Sequence, residues 1–249
     1  MLIELFLVFI IGLCVGSFIN AYIDRSVRGE SVIFGKSHCD NCKKNIAWYD
    51  LIPLVSYIHL GAKCRHCKSS LSFYYPITEF ATGAVFVLTF ASVNSWNGSL
   101  VTLLYWLTIV AALVAIFFVD LKYGIIPDKI VYPAVGISLI YLYMTPQDIV
   151  PYLLSAVGAS VFLLILLLVT RGKGMGWGDV KFVILMGLIL GFPGTVVGLY
   201  LAFLTGAVVG VILILWRKKK LRGSTIPFGP FLVVGTILSL FYSQFFINL

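Results

Sequence analysis

A chain of 249 residues is long enough for one or two soluble domains, but 60% of this one is hydrophobic, 11% is charged and its mean hydropathy is +1.03. Those proportions exclude an ordinary soluble protein. The formal net charge of +8 would suit a polynucleotide, yet basic residues beside apolar spans more often set membrane topology or touch anionic lipid; lipid is the expected partner, and no nucleic acid is.

A helix crossing the ~30 Å hydrocarbon layer needs about 20 apolar residues. Such runs fall at 2–23, 74–93, 100–119, 125–144, 149–170, 180–192, 194–216 and 226–247, which predicts an all-α polytopic membrane protein of about eight transmembrane helices. The sixth run is short of a full crossing and ends at Gly191-Phe192-Pro193-Gly194, so a half-helix lining a cavity is the alternative there. No basic residue precedes the first run and no small-x-small site follows it, so it is expected to remain in the mature protein. Between the first two runs lies a polar, turn-rich segment, 24–73, expected to form a small cytoplasmic zinc-ribbon-like insert. The predicted organisation is thus a first span over 1–23, a zinc-binding domain over 24–73 and a membrane core over 74–249.

Charge orients the chain. Strict alternation from an outside N-terminus puts eight basic residues in the first inward segment, two around the second, three in the third and five in the fourth, which is all 18. The positive-inside rule then places both termini outside and four basic loops in the cytoplasm. The 217–222 run reads as a stop signal that also touches anionic headgroups.

Cys39-Asp-Asn-Cys42 and Cys64-Arg-His-Cys67 have the spacing of a zinc ribbon, in which two knuckles close a four-sulfur site around one structural ion. A fifty-residue segment with little core of its own needs such a staple. The rival reading is two disulfides or a redox pair, which the reducing cytoplasm disfavours. His38 and His66 flank the knuckles and read as surface or supporting residues; Cys14, inside the first span, reads as a small packing residue.

A carboxylate within a span is costly, so the few near span ends draw attention. Asp120 closes the third apolar run, and Asp179 closes Gly174-Met175-Gly176-Trp177-Gly178-Asp179, with Lys181 two residues on. The topology sets both at the cytoplasmic boundary, where two carboxylates from different helices form an aspartyl dyad: like charges a few Å apart do not both ionise, so one acts as base on a water and the other as acid toward a carbonyl. Gly176 and Gly178 let backbones approach and open the helix start. For each Asp alone the competing reading is a helix cap. Asp128, after Pro127, suits a cap or supporting role, and Glu79 is either functional or snorkels to the interface. Intramembrane carboxylates also suit a transporter or proton relay, the alternative kept open.

Taken together, several motifs resemble those of the type IV prepilin leader peptidases, bacterial membrane aspartyl proteases of the Gly-x-Gly-Asp type. They are Gly16-Ser17-Phe18-Ile19-Asn20 followed by Arg25, the two Cys-x-x-Cys pairs, Tyr75-Pro76-Ile77-Thr78-Glu79, Asp120 with Ile126-Pro127-Asp128, Gly174 to Lys181, and Pro227-Phe228-Gly229-Pro230-Phe231. The resemblance implies a multi-pass protein of the bacterial inner membrane. It would cleave the basic leader of prepilins and pseudopilins at the cytoplasmic face, with Asp120 and Asp179 catalytic. It further implies that 74–249 is the protease core, that 24–73 is associated with methylation of the new N-terminus by S-adenosylmethionine, and that Glu79 takes part in that transfer.

Overall fold

The computed structural model describes residues 2–31, 35, 37–95, 98–172, 174–216 and 227–247. Helices make up the chain, and among the described residues the only extended pairings are two isolated bridges, His38 with Asn45 and Lys63 with Ser70. In order, the helices are α1 (Leu2–Arg28), α2 (Val55–His59), α3 (Tyr74–Ser95), α4 (Leu100–Tyr123), α5 (Asp128–Met144), α6 (Val150–Val169), α7 (Trp177–Leu215) and α8 (Gly229–Ile247), with a 3-10 turn at Trp48–Leu51. Five of them, α1, α3, α4, α6 and α7, are long and apolar enough to cross a membrane. The chain is an integral membrane protein. The fifth expected span is the 17-residue α5, and the described apolar part of α8 is shorter still, Gly229–Phe241.

The sixth and seventh expected spans are successive parts of α7, separated by a break in helical geometry at Gly191 (φ 61°, ψ −167°) and Phe192 (φ −95°, ψ 138°). Gly191 adopts a left-handed φ that a side chain would resist, and Pro193 brings no N–H to carry the ladder on. The stretch 177–190 rises about 21 Å, well short of the ~30 Å core. The first helix differs from expectation in the other direction: α1 runs to Arg28, past the last apolar residue of its run, so Asp24 and Arg25 are helical. Cys14 is exposed on α1 and is not the packing residue the sequence suggested. The basic segment 217–225 lies outside the described residues.

The chain forms two compact units, Met1–Ala115 and Ile116–Leu249. In the first, α1 packs along α3. Gly12 and Gly16, one turn apart, make this possible: a Cβ on Gly12 would stand 2.7 Å from Gly83 Cα, and one on Gly16 would stand 2.7 Å from Glu79 Cα. Small residues at this spacing let helix backbones approach where apolar burial offers no gain over lipid. In the second unit α7 packs against α6, α8 and α5, with Gly187 set on Ala156 and Gly235 on the Gly198 carbonyl.

Five buried threonine hydroxyls are satisfied within their own helices. Thr78, Thr82 and Thr89 in α3, Thr195 in α7 and Thr236 in α8 each donate to the carbonyl four residues back. Other side chains bond across helices: Ser239 donates to the Gly194 carbonyl at 2.7 Å, the Asn20 amide donates to the Tyr75 carbonyl at 3.0 Å, and the Tyr75 hydroxyl donates to Asp24 at 2.7 Å.

Candidate active site and metal centre

Both candidate catalytic carboxylates belong to the second unit. Asp120 is in the last turn of α4, where Gly124 (φ 67°) ends the helix by donating its N–H to the Asp120 carbonyl at 2.8 Å, a left-handed glycine cap. Asp179 is the third residue of α7. Its Oδ2 accepts the N–H of Gly176 at 2.8 Å, and its own N–H returns to the Gly176 carbonyl at 3.2 Å. This is the reach-back half of a capping box, so the capping reading of Asp179 holds in part.

Capping does not account for the burial. Asp120 is 4% exposed and Asp179 6%, and the two are close enough for their charges to interact. Asp120 Oδ2 is buried with no hydrogen-bond partner, a condition that needs a reason when native carboxylates are almost always satisfied. The packing beside Asp120 is apolar and fitted. A Cβ on Gly178 would stand 2.9 Å from Ile126 Cβ, and one on Gly229 would run into Asp120 Oδ2 while standing 3.1 Å from Ile126 Cδ1. Ile126 thus fills the space that Gly178 and Gly229 vacate. A Cβ on Gly176 would meet Asp179 Oδ2 at an ordinary 3.7 Å, so the role of Gly176 here is its N–H.

Asp128 opens α5, and both of its oxygens accept from Lys181 Nζ, at 2.8 and 2.9 Å. The pair fastens the start of α5 to α7 two residues beyond Asp179, with the ammonium 5.7 Å from the Tyr132 ring centroid. Its side chains are 34% and 51% exposed, so it positions rather than stabilises.

The other candidates belong to the first unit. The four cysteine sulfurs lie within 4.8 Å of one another. A tetrahedral zinc with Zn–S bonds of about 2.3 Å sets its sulfurs about 3.8 Å apart, and Cys39 and Cys67 are at 3.8 Å. The donor set therefore fits zinc. The two knuckles are built alike: Lys43 donates its N–H to the Cys39 carbonyl and Cys39 to that of Lys44, while Lys68 donates to Cys64 and Cys64 to Ser69. Lys43 and Lys68 both have positive φ, 57° and 58°. The Ser69 hydroxyl, 3.1 Å from Cys67 Sγ, lowers that thiol to about 6, toward the thiolate a metal requires. Arg65 grips Asp50 through Nε at 2.8 Å and Nη2 at 2.6 Å, holding Asp50 below the usual carboxylate range and tying the second knuckle to the 3-10 turn.

Glu79 is 8% exposed and does not snorkel: its Oε2 accepts the N–H of Leu54 at 2.9 Å. Leu54 is the centre of a tight three-residue turn, φ 57° and ψ −48°, closed by the Val55 N–H on the Pro53 carbonyl at 2.6 Å. Non-glycine residues rarely hold such angles unless their surroundings impose them. Glu79 also lines a cleft of ≈ 170 Å³ with Asn20, Asp24, Arg25, Asp50 and Tyr75 among its walls.

With this geometry in place, the chain can be set beside known proteins. The Bacterial Peptidase A24 N-terminal domain matches residues 10–93, and the Type IV leader peptidase family matches residues 106–211. A protein of Pseudomonas aeruginosa named prepilin leader peptidase/N-methyltransferase is 30% identical over 94% of this chain and 89% of its own length. The chain belongs to the type IV leader peptidase family. It is thereby placed among enzymes, and among membrane peptidases in particular. Proteins with the same printed name in Myxococcus xanthus and Bacillus subtilis are 34% identical over 83% of this chain, and 27% identical over 97%. The chain spans 62% of the length of the first and 96% of the second. No solved structure matches it.

Sequence reasoning missed the parts that only packing reveals. Asn20 was visible as the end of a motif but not as a buried amide. Ile126 stood next to Pro127-Asp128 without a sign that it fills the space between two glycines. Nothing about Leu54 marked it as the residue that presents an N–H to Glu79.

Proposed function

We propose that this chain is a membrane aspartyl endopeptidase that removes the basic leader of type IV prepilins and pseudopilins, with Asp120 and Asp179 as its catalytic pair. The observation that carries the reading is the buried Asp120/Asp179 pair with Asp120 Oδ2 unpartnered, in a chain whose relatives are named prepilin leader peptidases. Within the pair, one ionised carboxylate takes a proton from water as its oxygen attacks the scissile carbonyl, and the other, protonated, donates to that carbonyl oxygen. Proton return to the departing amine completes cleavage and restores the pair. Asp179 is aimed by the Gly176 N–H, Gly178 and Gly229 set the approach of Ile126 and Asp120, and the Lys181–Asp128 pair holds the two helix starts together.

The site faces the cytoplasm of the inner membrane in this reading, supported by the gathering of all 18 Lys and Arg on one side of the alternating topology. The segment 24–73 is a zinc-stapled domain, with Cys39, Cys42, Cys64 and Cys67 holding a structural ion, and 74–249 is the protease core. The relatives' names include N-methyltransferase, so the first unit is proposed to methylate the new N-terminal residue. S-adenosylmethionine supplies the methyl group when bound, and Glu79 is the candidate carboxylate.

Mass spectrometry of a prepilin incubated with the detergent-purified protein tests both halves. A leader-sized mass loss that disappears in Asp120→Asn and in Asp179→Asn supports the pair, and one further methyl mass only with S-adenosylmethionine supports the transfer. Cleavage that survives in either variant removes the assignment.

A further inference from the structure

The chain has ten carboxylates and 18 Lys and Arg residues. Five of the ten, Asp24, Glu30, Asp40, Asp50 and Glu79, line the cleft of the first unit described above, together with Arg25, Lys44 and Arg65 of the Lys and Arg residues. In a protein of charge +8 this is a local reversal of sign. An acidic lining attracts cations in general; what selects among them is Asn20.

Asn20 is 95% buried, being 5% exposed, and it forms part of the cleft wall. Its amide nitrogen is engaged by the Tyr75 carbonyl at 3.0 Å, which leaves Oδ1 as its remaining acceptor. That oxygen has no hydrogen-bond partner. A buried acceptor is costly to leave unpaired, and a donor carried by a ligand in the cleft would satisfy it. Glu79 is beside it by helix register: Gly16 and Asn20 are one turn apart on α1, Tyr75 and Glu79 one turn apart on α3, and Gly16 abuts Glu79 as Asn20 meets Tyr75. The strained turn at Leu54 holds one Glu79 oxygen in place.

Among the described residues, the one group of metal-ligating side chains that converges on a point is the four cysteines. An N–H donor that carries positive charge fits both the acceptor and the acidic lining. We infer that this cleft is a primary-ammonium site, in which Asn20 Oδ1 accepts an N–H of the ligand's –NH₃⁺ group and Glu79 supplies the adjacent charge. Two ligands of the proposed methylation carry that group: the α-ammonium of a freshly cut substrate, and the amino-acid end of the sulfonium methyl donor. The choice of these ligands rests on the function proposed above; the binding itself does not.

The test is calorimetric titration of the full-length, zinc-loaded Asp120→Asn/Asp179→Asn protein in detergent, so that no cleavage enters the readout. One arm compares a Phe-initiated apolar peptide bearing a free N-terminus with its N-acetyl form. The other compares S-adenosylmethionine with 5′-methylthioadenosine, which lacks the amino-acid end. In at least one arm the free amine is expected to bind about tenfold tighter than its blocked or truncated analogue, and that arm names the source. Asn20→Leu in the same background abolishes the preference while zinc content stays at one per chain. If that variant loses zinc, Asn20→Asp replaces it and is expected to tighten free-amine binding about tenfold through the added charge. Equal binding of parent and analogue in both arms, a preference that survives Asn20→Leu in zinc-loaded protein, or no tightening by Asn20→Asp overturns the inference. Failure of the peptidase reading would leave all of these titrations unchanged.

Discussion

Of the two glycines that precede Asp179 in its motif, Gly178 is predicted to be indispensable and Gly176 replaceable. An alanine at 178 places its Cβ 2.9 Å from Ile126 Cβ, 3.4 Å from Cγ1 and 3.5 Å from Cδ1. Neither Cβ can rotate away, because each is one bond from its backbone. Reaching an ordinary 3.4 Å separation therefore requires about 0.5 Å of backbone movement, and Ile126, 8% exposed, has little free volume to move into. Overpacking of this kind costs ~1–3 kcal/mol. A displacement of ~1 Å in a catalytic arrangement costs about a hundredfold in rate, so half of that projects to about tenfold. Gly178→Ala should then lower kcat for leader cleavage about tenfold, with KM less affected, and lower the melting temperature in detergent. Gly176→Ala keeps the N–H that Asp179 accepts and meets Asp179 Oδ2 at 3.7 Å, so its kcat should remain within about threefold of the parent. Adding Ile126→Gly to Gly178→Ala removes the colliding Cβ and should recover most of the loss in rate, a coupling of ~0.5–3 kcal/mol. Equal damage from the two glycine substitutions, or no recovery in the double variant, would refute the steric argument.

Gly229→Ala drives a methyl into Asp120 Oδ2, and cleavage should fall by about tenfold or more even where zinc content is unchanged. Lys181→Ala breaks a half-exposed pair; its melting temperature should fall by an amount matching no more than ~1 kcal/mol, and a double-mutant cycle with Asp128→Asn should show that the two losses do not add. Cys67→Ser should reduce bound zinc, measured by atomic absorption, from one per chain to substoichiometric. After zinc is stripped by a chelator, Cys67 should be the first of the four thiols alkylated at neutral pH, its rate falling as pH drops through about 6. Ser69→Ala should slow it, since that hydroxyl favours the thiolate.

The four-cysteine cluster was legible because its information is local. Each knuckle is a run of six consecutive residues closed by two backbone hydrogen bonds, so spacing alone announces it. Asp120 and Asp179 were legible for a different reason: a carboxylate at the end of an apolar run is costly, and cost is visible in composition. The Asp128–Lys181 pair was not legible, because 53 residues separate partners that carry no mark of each other. The helical extension of α1 beyond its apolar run was not legible, because hydropathy reports where apolar residues stop, whereas the backbone ladder continues through Asp24 and Arg25. Arg25 in turn donates to the Gly35 carbonyl and the Ser37 hydroxyl, just ahead of the first knuckle. Cys14 was misread because small size at a helix interface and small size toward lipid look identical in one dimension.

The hydroxyls that bond back along their own helices bear on how such an enzyme admits its substrate. Because Thr78, Thr82, Thr89, Thr195 and Thr236 are already satisfied, parting the helices they belong to breaks none of their bonds. Cohesion within each unit then rests on contact area and on the close seats that glycine provides. In the proposed reaction a guest helix of leucine and valine competes for those surfaces on nearly the same terms as a resident one, the polar latches to undo being those of Asn20, Ser239 and Lys181. Selection of the guest falls accordingly to the polar groups at the ends of the spans.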